Sequence, residues 1–134
     1  MAALLKDAST RRLLVSKSFK FFAPYELKQE FEKYREELLK KSKLNEFAFD
    51  FTTEFLLKKI ELINLNKYPE AEQKANEIMK EIGPKDAPFL AVGIALNLVG
   101  IWSEDTHFTK QTYLAVYSNK ELYQIYASYQ NKPD

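Results

Sequence analysis

The stretch DAPFLAVGIALNLVGIWSED, residues 86–105, decides the fold. From Ala87 to Trp102 it carries no charge, yet it holds Asn97 and two glycines and falls short of the ~20 residues that span a bilayer. Phe89 to Leu98 is apolar almost all round, which predicts a helix buried on both sides. Gly100-Ile101-Trp102 then reads as a short strand. An aspartate flanks each end of the pair: Asp86 at the entry of the helix, and Asp105 three residues past Trp102.

Working outward, the same alternation of helix and strand continues. Upstream, Pro69 opens a helix with Ala71, Ala75, Ile78, Met79 and Ile82 inward, and Gly83-Pro84 ends it. Ile60 to Ile63 reads as a strand. Asn45 caps a preceding helix on which Phe47, Phe51 and Phe55 fall on one side, a stripe expected to be core rather than a platform for stacking bases. From Pro24, the spacing of Leu27, Phe31, Tyr34 and Leu38 predicts one helix running to about Lys41. Phe19 to Ala23 is a compact aromatic strand, and Asp7 is placed to cap a short helix over Ser9 to Val15. Downstream, Leu114 to Tyr117 reads as the last strand. Ser118 and Glu121 have the spacing of a capping box for a final helix carrying Leu122 and Ile125. Strands separated by helices are parallel, so the expected architecture is α/β: a three-layer α/β/α sandwich with a mainly parallel sheet, in one domain over residues 1–134.

Composition narrows the function classes. Hydrophobic residues make up 46% of the 134, with 10 Phe and 8 Tyr, enough for a core; only 3 Gly and 5 Pro argue against a long flexible linker. The net charge is +1, so any nucleic-acid contact requires a local patch rather than a whole-molecule field. Lys40, Lys41 and Lys43, with Lys58 and Lys59, are candidates, although such lysines are more commonly solvated helix faces. The absence of cysteine excludes disulfides, thiolate zinc sites and a cysteine nucleophile, and fits a reducing, cytoplasmic setting. No signal-peptide pattern opens the sequence. No glycine-rich nucleotide loop and no G-x-S-x-G elbow is present, and the sole histidine, His107, is expected to be a turn residue beside Phe108.

What remains is acidic chemistry. In open parallel sheets, ligands bind beyond the carboxyl ends of the strands. Glu30, two turns into the helix after the first visible strand, Asp86 and Asp105 can all reach that edge. Carboxylates that converge repel one another unless a cation lies between them, and hard oxygen ligands select Mg²⁺ or Mn²⁺. Each has a plainer role as well: Asp86 as a helix cap, Asp105 as a turn residue, Glu30 as one of several glutamates on its helix.

Asp86-Ala87-Pro88-Phe89-Leu90-Ala91, the apolar helix, and Ile101-Trp102-Ser103-Glu104-Asp105-Thr106-His107-Phe108 together resemble the C-terminal half of a PIN domain. Ala115-Val116-Tyr117-Ser118-Asn119-Lys120-Glu121-Leu122 is similar to that family's last strand and helix. Ala3-Leu4-Leu5-Lys6-Asp7 and Phe21-Phe22-Ala23-Pro24 with Glu30 resemble its first half. The resemblance implies a Mg²⁺- or Mn²⁺-dependent endoribonuclease that hydrolyses single-stranded RNA, many members being toxins of toxin–antitoxin pairs of the VapC type. It assigns Glu30, Asp86 and Asp105 as metal ligands and Ser103 as a hydroxyl residue near the last of them.

The family's fourth acid is an Asp at the end of its first strand, in a motif placed before the segment that begins here at Ala2; Asp7 lies too far downstream to replace it. The resemblance places that strand at the centre of a sheet of order 3-2-1-4-5. The expectation is therefore an N-terminally truncated PIN-like domain in which the strands flanking the gap pair directly or a second subunit fills it. Two functions follow. One is a PIN-type ribonuclease with impaired activity, RNA as substrate, a protein antitoxin and a homodimeric state, and no membrane association. The other is an inactive self-associating or RNA-binding protein with a vestigial site. A receiver-like signalling domain fits less well, because the acidic pair and the downstream Lys are missing.

Overall fold

The computed structural model describes residues 8–130. In chain order the elements are α1 (Ala8–Val15), β1 (Phe21–Pro24), α2 (Glu26–Lys33), α3 (Arg35–Ser42), α4 (Glu46–Lys58) and β2 (Ile60–Ile63). They continue as α5 (Pro69–Met79), α6 (Ala87–Ala95), β3 (Gly100–Trp102), β4 (Ala115–Tyr117) and α7 (Asn119–Gln130). The chain divides into two compact units, Met1–Leu62 and Ile63–Asp134. The fold is α/β, with helices alternating with short strands as the sequence predicts. The strands form two two-stranded sheets, β1 with β2 and β3 with β4, rather than one continuous sheet. In a sheet of order 3-2-1-4-5, these are the neighbours expected on either side of the first strand; direct pairing across that position is not among the described strand pairs.

In the first unit, the stretch expected to be one helix from Pro24 is two. Tyr34, at φ −104° and ψ 19°, interrupts it between α2 and α3. Leu27 and Phe31 are buried, whereas Tyr34 is exposed, so the apolar stripe stops where the helix does. Lys43 takes a left-handed conformation, φ 61°, and ends α3. Asn45 caps α4 as predicted, its side chain accepting from the Ala48 N–H at 2.8 Å.

The buried face of α4 is a correction. Phe47, Phe51 and Phe55 are 80%, 66% and 46% exposed, while Phe49 and Leu56 are nearly inaccessible. Residues 49 and 56 are seven apart and share one face; 47, 51 and 55 form the opposite ridge. Two phenylalanine faces compete on this helix. The one on which Arg35 lies against the Phe49 ring while binding Asp50 is turned inward. The Asp7 cap lies outside the described residues.

In the second unit, α5 and α6 make the most extensive helix pair. Ala71, Ala75 and Met79 on α5, and Leu90, Ala91 and Val92 on α6, are buried, and the alanines let the two backbones approach closely. Asn97 resolves the oddity of a polar residue in the apolar stretch. At φ 53° it is the left-handed residue that closes α6, with Asn97 N–H donating to Ile94 and Leu98 N–H to Gly93. The chain then reverses into β3, so the entry of α6 and the exit of β3 lie at the same end.

β3 and β4 are parallel, with Gly100 opposite Ala115 and Trp102 opposite Tyr117. Gly100 is required there: a Cβ would stand 2.6 Å from the Ala115 carbonyl oxygen and from the Tyr117 ring. The connection between them is not an α-helix but a loop with one 3₁₀ turn, Phe108–Lys110. Buried Gln111 holds this loop. Its side-chain N–H groups donate to the carbonyls of Phe108 (3.0 Å) and Leu114 (2.7 Å), and its oxygen accepts from the N–H groups of Tyr113 and Leu114. Beyond β4, the capping box is formed in both directions: Ser118 N–H donates to Glu121 and Glu121 N–H to the Ser118 hydroxyl. Among the described residues, no helix is long and apolar enough to cross a membrane.

Candidate metal centre

The loop leaving β3 is organised by three polar residues in succession. The Ser103 hydroxyl accepts the N–H of Asp105 at 2.9 Å, and the Asp105 carboxylate accepts the N–H of His107 at 2.9 Å. These local bonds are the turn chemistry expected of Ser and Asp after a strand. They also orient the Asp105 carboxylate. Phe108, next in line, is buried and anchors the loop. Glu104 points the other way, accepting the Asn119 N–H at the start of α7, while Asn119 accepts from the Trp102 indole at 2.6 Å. The end of β3 is thereby clamped to the start of α7.

Asp86 reaches the same place from another part of the unit. It closes the 3₁₀ turn Pro84–Asp86 and immediately precedes α6, but its side chain makes no capping hydrogen bond to that helix. The carboxylate turns instead to His107, whose Nδ1 lies 3.3 Å from Asp86 Oδ2 and 3.5 Å from Asp105 Oδ1. Asp86 is the more enclosed of the two acids, with a quarter of its side chain exposed against 44% for Asp105. Gly83 lies against the group: a Cβ there would stand 3.1 Å from His107 Nδ1 and 3.3 Å from Asp86 Oδ2.

One ligand atom each from Asp86, Asp105 and His107 lies within 4.8 Å of the others. Two carboxylates and an imidazole at that spacing form a donor set for a divalent cation, and the Asp105 and His107 side chains are partly exposed. A divalent ion fits these residues.

The sequence-derived candidates therefore divide between the units. Asp86 and Asp105 converge, separated along the chain but joined through one imidazole nitrogen. Ser103 positions Asp105 through its main-chain N–H. Glu30 lies in the first unit, half-buried on α2, where its carbonyl accepts the Tyr34 N–H. His107 is, as expected, a turn residue beside Phe108, and its ring in addition faces both acids. The signal available in the sequence was the Asp105-x-His107 spacing after a strand end, in a chain with no other histidine. The lysines at 40, 41, 43, 58 and 59 are all exposed, as solvated helix faces are.

A family model described as PIN domain matches residues 1–123 and so extends over both units. No curated protein and no solved structure matches the chain.

Proposed function

The chain belongs to the PIN-domain family, and from this premise we propose that it is a divalent-metal-dependent endoribonuclease acting on single-stranded RNA. PIN domains are generally divalent-metal dependent and have a nuclease-type fold. The observation that carries the reading is the convergence of Asp86 and Asp105 beyond the end of β3. The ion, Mg²⁺ or Mn²⁺, would supply water activation and charge stabilisation at the scissile phosphate. Within the chain, Asp86 and Asp105 hold it and Ser103 orients Asp105. Family resemblance gives Glu30 a ligand role too, which a Glu30→Gln variant tests by its effect on cleavage. On the same reading the protein is the toxin of a toxin–antitoxin pair, cytoplasmic and homodimeric, with a protein antitoxin as partner.

The test is cleavage of a single-stranded RNA with and without chelator, in the wild type and in Asp105→Asn. Metal-dependent cleavage that falls at least roughly 100-fold in the variant supports the proposal, since even outer-shell partners of a metal are worth 10–100-fold. Cleavage that survives both chelator and substitution contradicts it.

A second reading is favoured by the ridge of Phe47, Phe51 and Phe55, exposed along one side of α4. Contiguous exposed apolar side chains mark association surfaces. The protein would then be a self-associating or RNA-binding protein with a vestigial acidic site. It predicts an oligomer that Phe51→Ser dissociates, together with no RNA cleavage at any metal concentration.

A further inference from the structure

The donor set at the end of β3 is not all oxygen, and this bears on which ion it takes. His107 is the only histidine of the chain. Its Nδ1, rather than its outer nitrogen, faces both Asp86 and Asp105. The 3.3 Å contact to Asp86 is a long hydrogen bond, and the same nitrogen lies 3.5 Å from Asp105 Oδ1. All three groups are close enough for one ion to take a ligand atom from each.

The His107 main-chain N–H donates to the Asp105 carboxylate at 2.9 Å and keeps the two residues adjacent. Gly83 lies beside Nδ1 and Asp86 Oδ2, where a Cβ would stand 3.1 and 3.3 Å from them.

Building on the proposed metal centre, we infer that His107 Nδ1 is a direct third ligand that biases the site toward Zn²⁺ and similar nitrogen-preferring ions over Mg²⁺. Imidazole suits Zn²⁺, Cu²⁺, Fe²⁺ and Ni²⁺, whereas Mg²⁺ and Mn²⁺ keep to carboxylates, carbonyls and water. The two carboxylates alone would serve Mg²⁺ well enough. The nitrogen shifts the preference.

The experiment has two parts, neither relying on turnover. Affinities for Zn²⁺, Mn²⁺ and Mg²⁺ are measured by calorimetry on the wild type and on His107→Ala. In parallel, heteronuclear NMR follows the imidazole nitrogens as Zn²⁺ is added; with one histidine the assignment is unambiguous, and the wild type alone suffices should the variant fail to fold. The expected result is a loss of Zn²⁺ affinity in the variant of roughly tenfold or more, with Mg²⁺ and Mn²⁺ binding within about threefold. The Nδ1 resonance should move on addition of Zn²⁺ by more than that of the outer nitrogen. Equal affinities in both proteins with an unmoved Nδ1 resonance would overturn the role of His107 and leave the carboxylate centre intact. No binding of any of the three ions by the wild type would overturn both.

Discussion

Asp86 stands at the entry of α6 yet caps nothing; its carboxylate lies 3.3 Å from His107 Nδ1, in the loop beyond β3. An aspartate at a helix start ordinarily contributes about 1 kcal/mol by accepting a backbone N–H. Here that bond is not made, and the side chain is committed to a cluster with a second acid. The arrangement forgoes local helix stability, as is common where a site rather than a scaffold sets the conformation.

The two faces of α4 give a sharp contrast. Phe49→Ala should destabilise the protein by about 3–5 kcal/mol, because a buried ring is removed and a cavity remains. Phe51→Ala should stay within about 0.5 kcal/mol, since that ring is mostly in solvent. Urea denaturation of both variants checks this; comparable losses would mean that the inward face is misassigned.

Gln111 should be among the least replaceable polar residues. It serves four main-chain groups of the loop between β3 and β4. Gln111→Ala leaves buried N–H and C=O groups unpaired, at a cost of about 1–3 kcal/mol for each group that water does not reach. A thermal midpoint unchanged by this substitution would contradict the role given to the side chain.

The capping box at α7 makes stability depend on pH in a definite sense. The Ser118 N–H, and then its hydroxyl, hold the Glu121 carboxyl below its ordinary range. A depressed folded-state value means a contribution fully present above the unfolded pKa and lost as pH falls through the folded one. The stability difference between wild type and Glu121→Gln should therefore favour the wild type near neutral pH and shrink under acid. Paired denaturation curves at about pH 7 and about pH 3 measure it, on either side of the ordinary Glu range. A difference that grows in acid has the wrong sign for this account.

Much of the fold was legible because strong local signals agree. Ile60–Ile63 and Gly100–Trp102 are strands as read, Pro69 and Gly83-Pro84 bracket their helix and its turn, and Ser118 with Glu121 forms its box. The errors lie where two local readings are equally good. On α4, both Phe47/Phe51/Phe55 and Phe49/Leu56 satisfy helical spacing, and only tertiary packing chooses between them. At Tyr34 the periodicity runs on while the backbone breaks, because residue spacing carries no trace of a dihedral. Of the cluster, the acids stood out as strand-end and helix-entry residues. His107 did not, since a lone histidine in a turn has a bland explanation until its ring is placed. Gln111 left no signal at all: a loop glutamine is polar by default, and its four bonds are a property of the folded loop.

The central claim, that Asp86 and Asp105 together hold a divalent ion, is tested most directly by titrating Mn²⁺ into the wild type and into Asp86→Asn by calorimetry. The account predicts one ion per chain in the wild type and an affinity at least roughly tenfold weaker in the variant. Identical binding curves for the two proteins would contradict it.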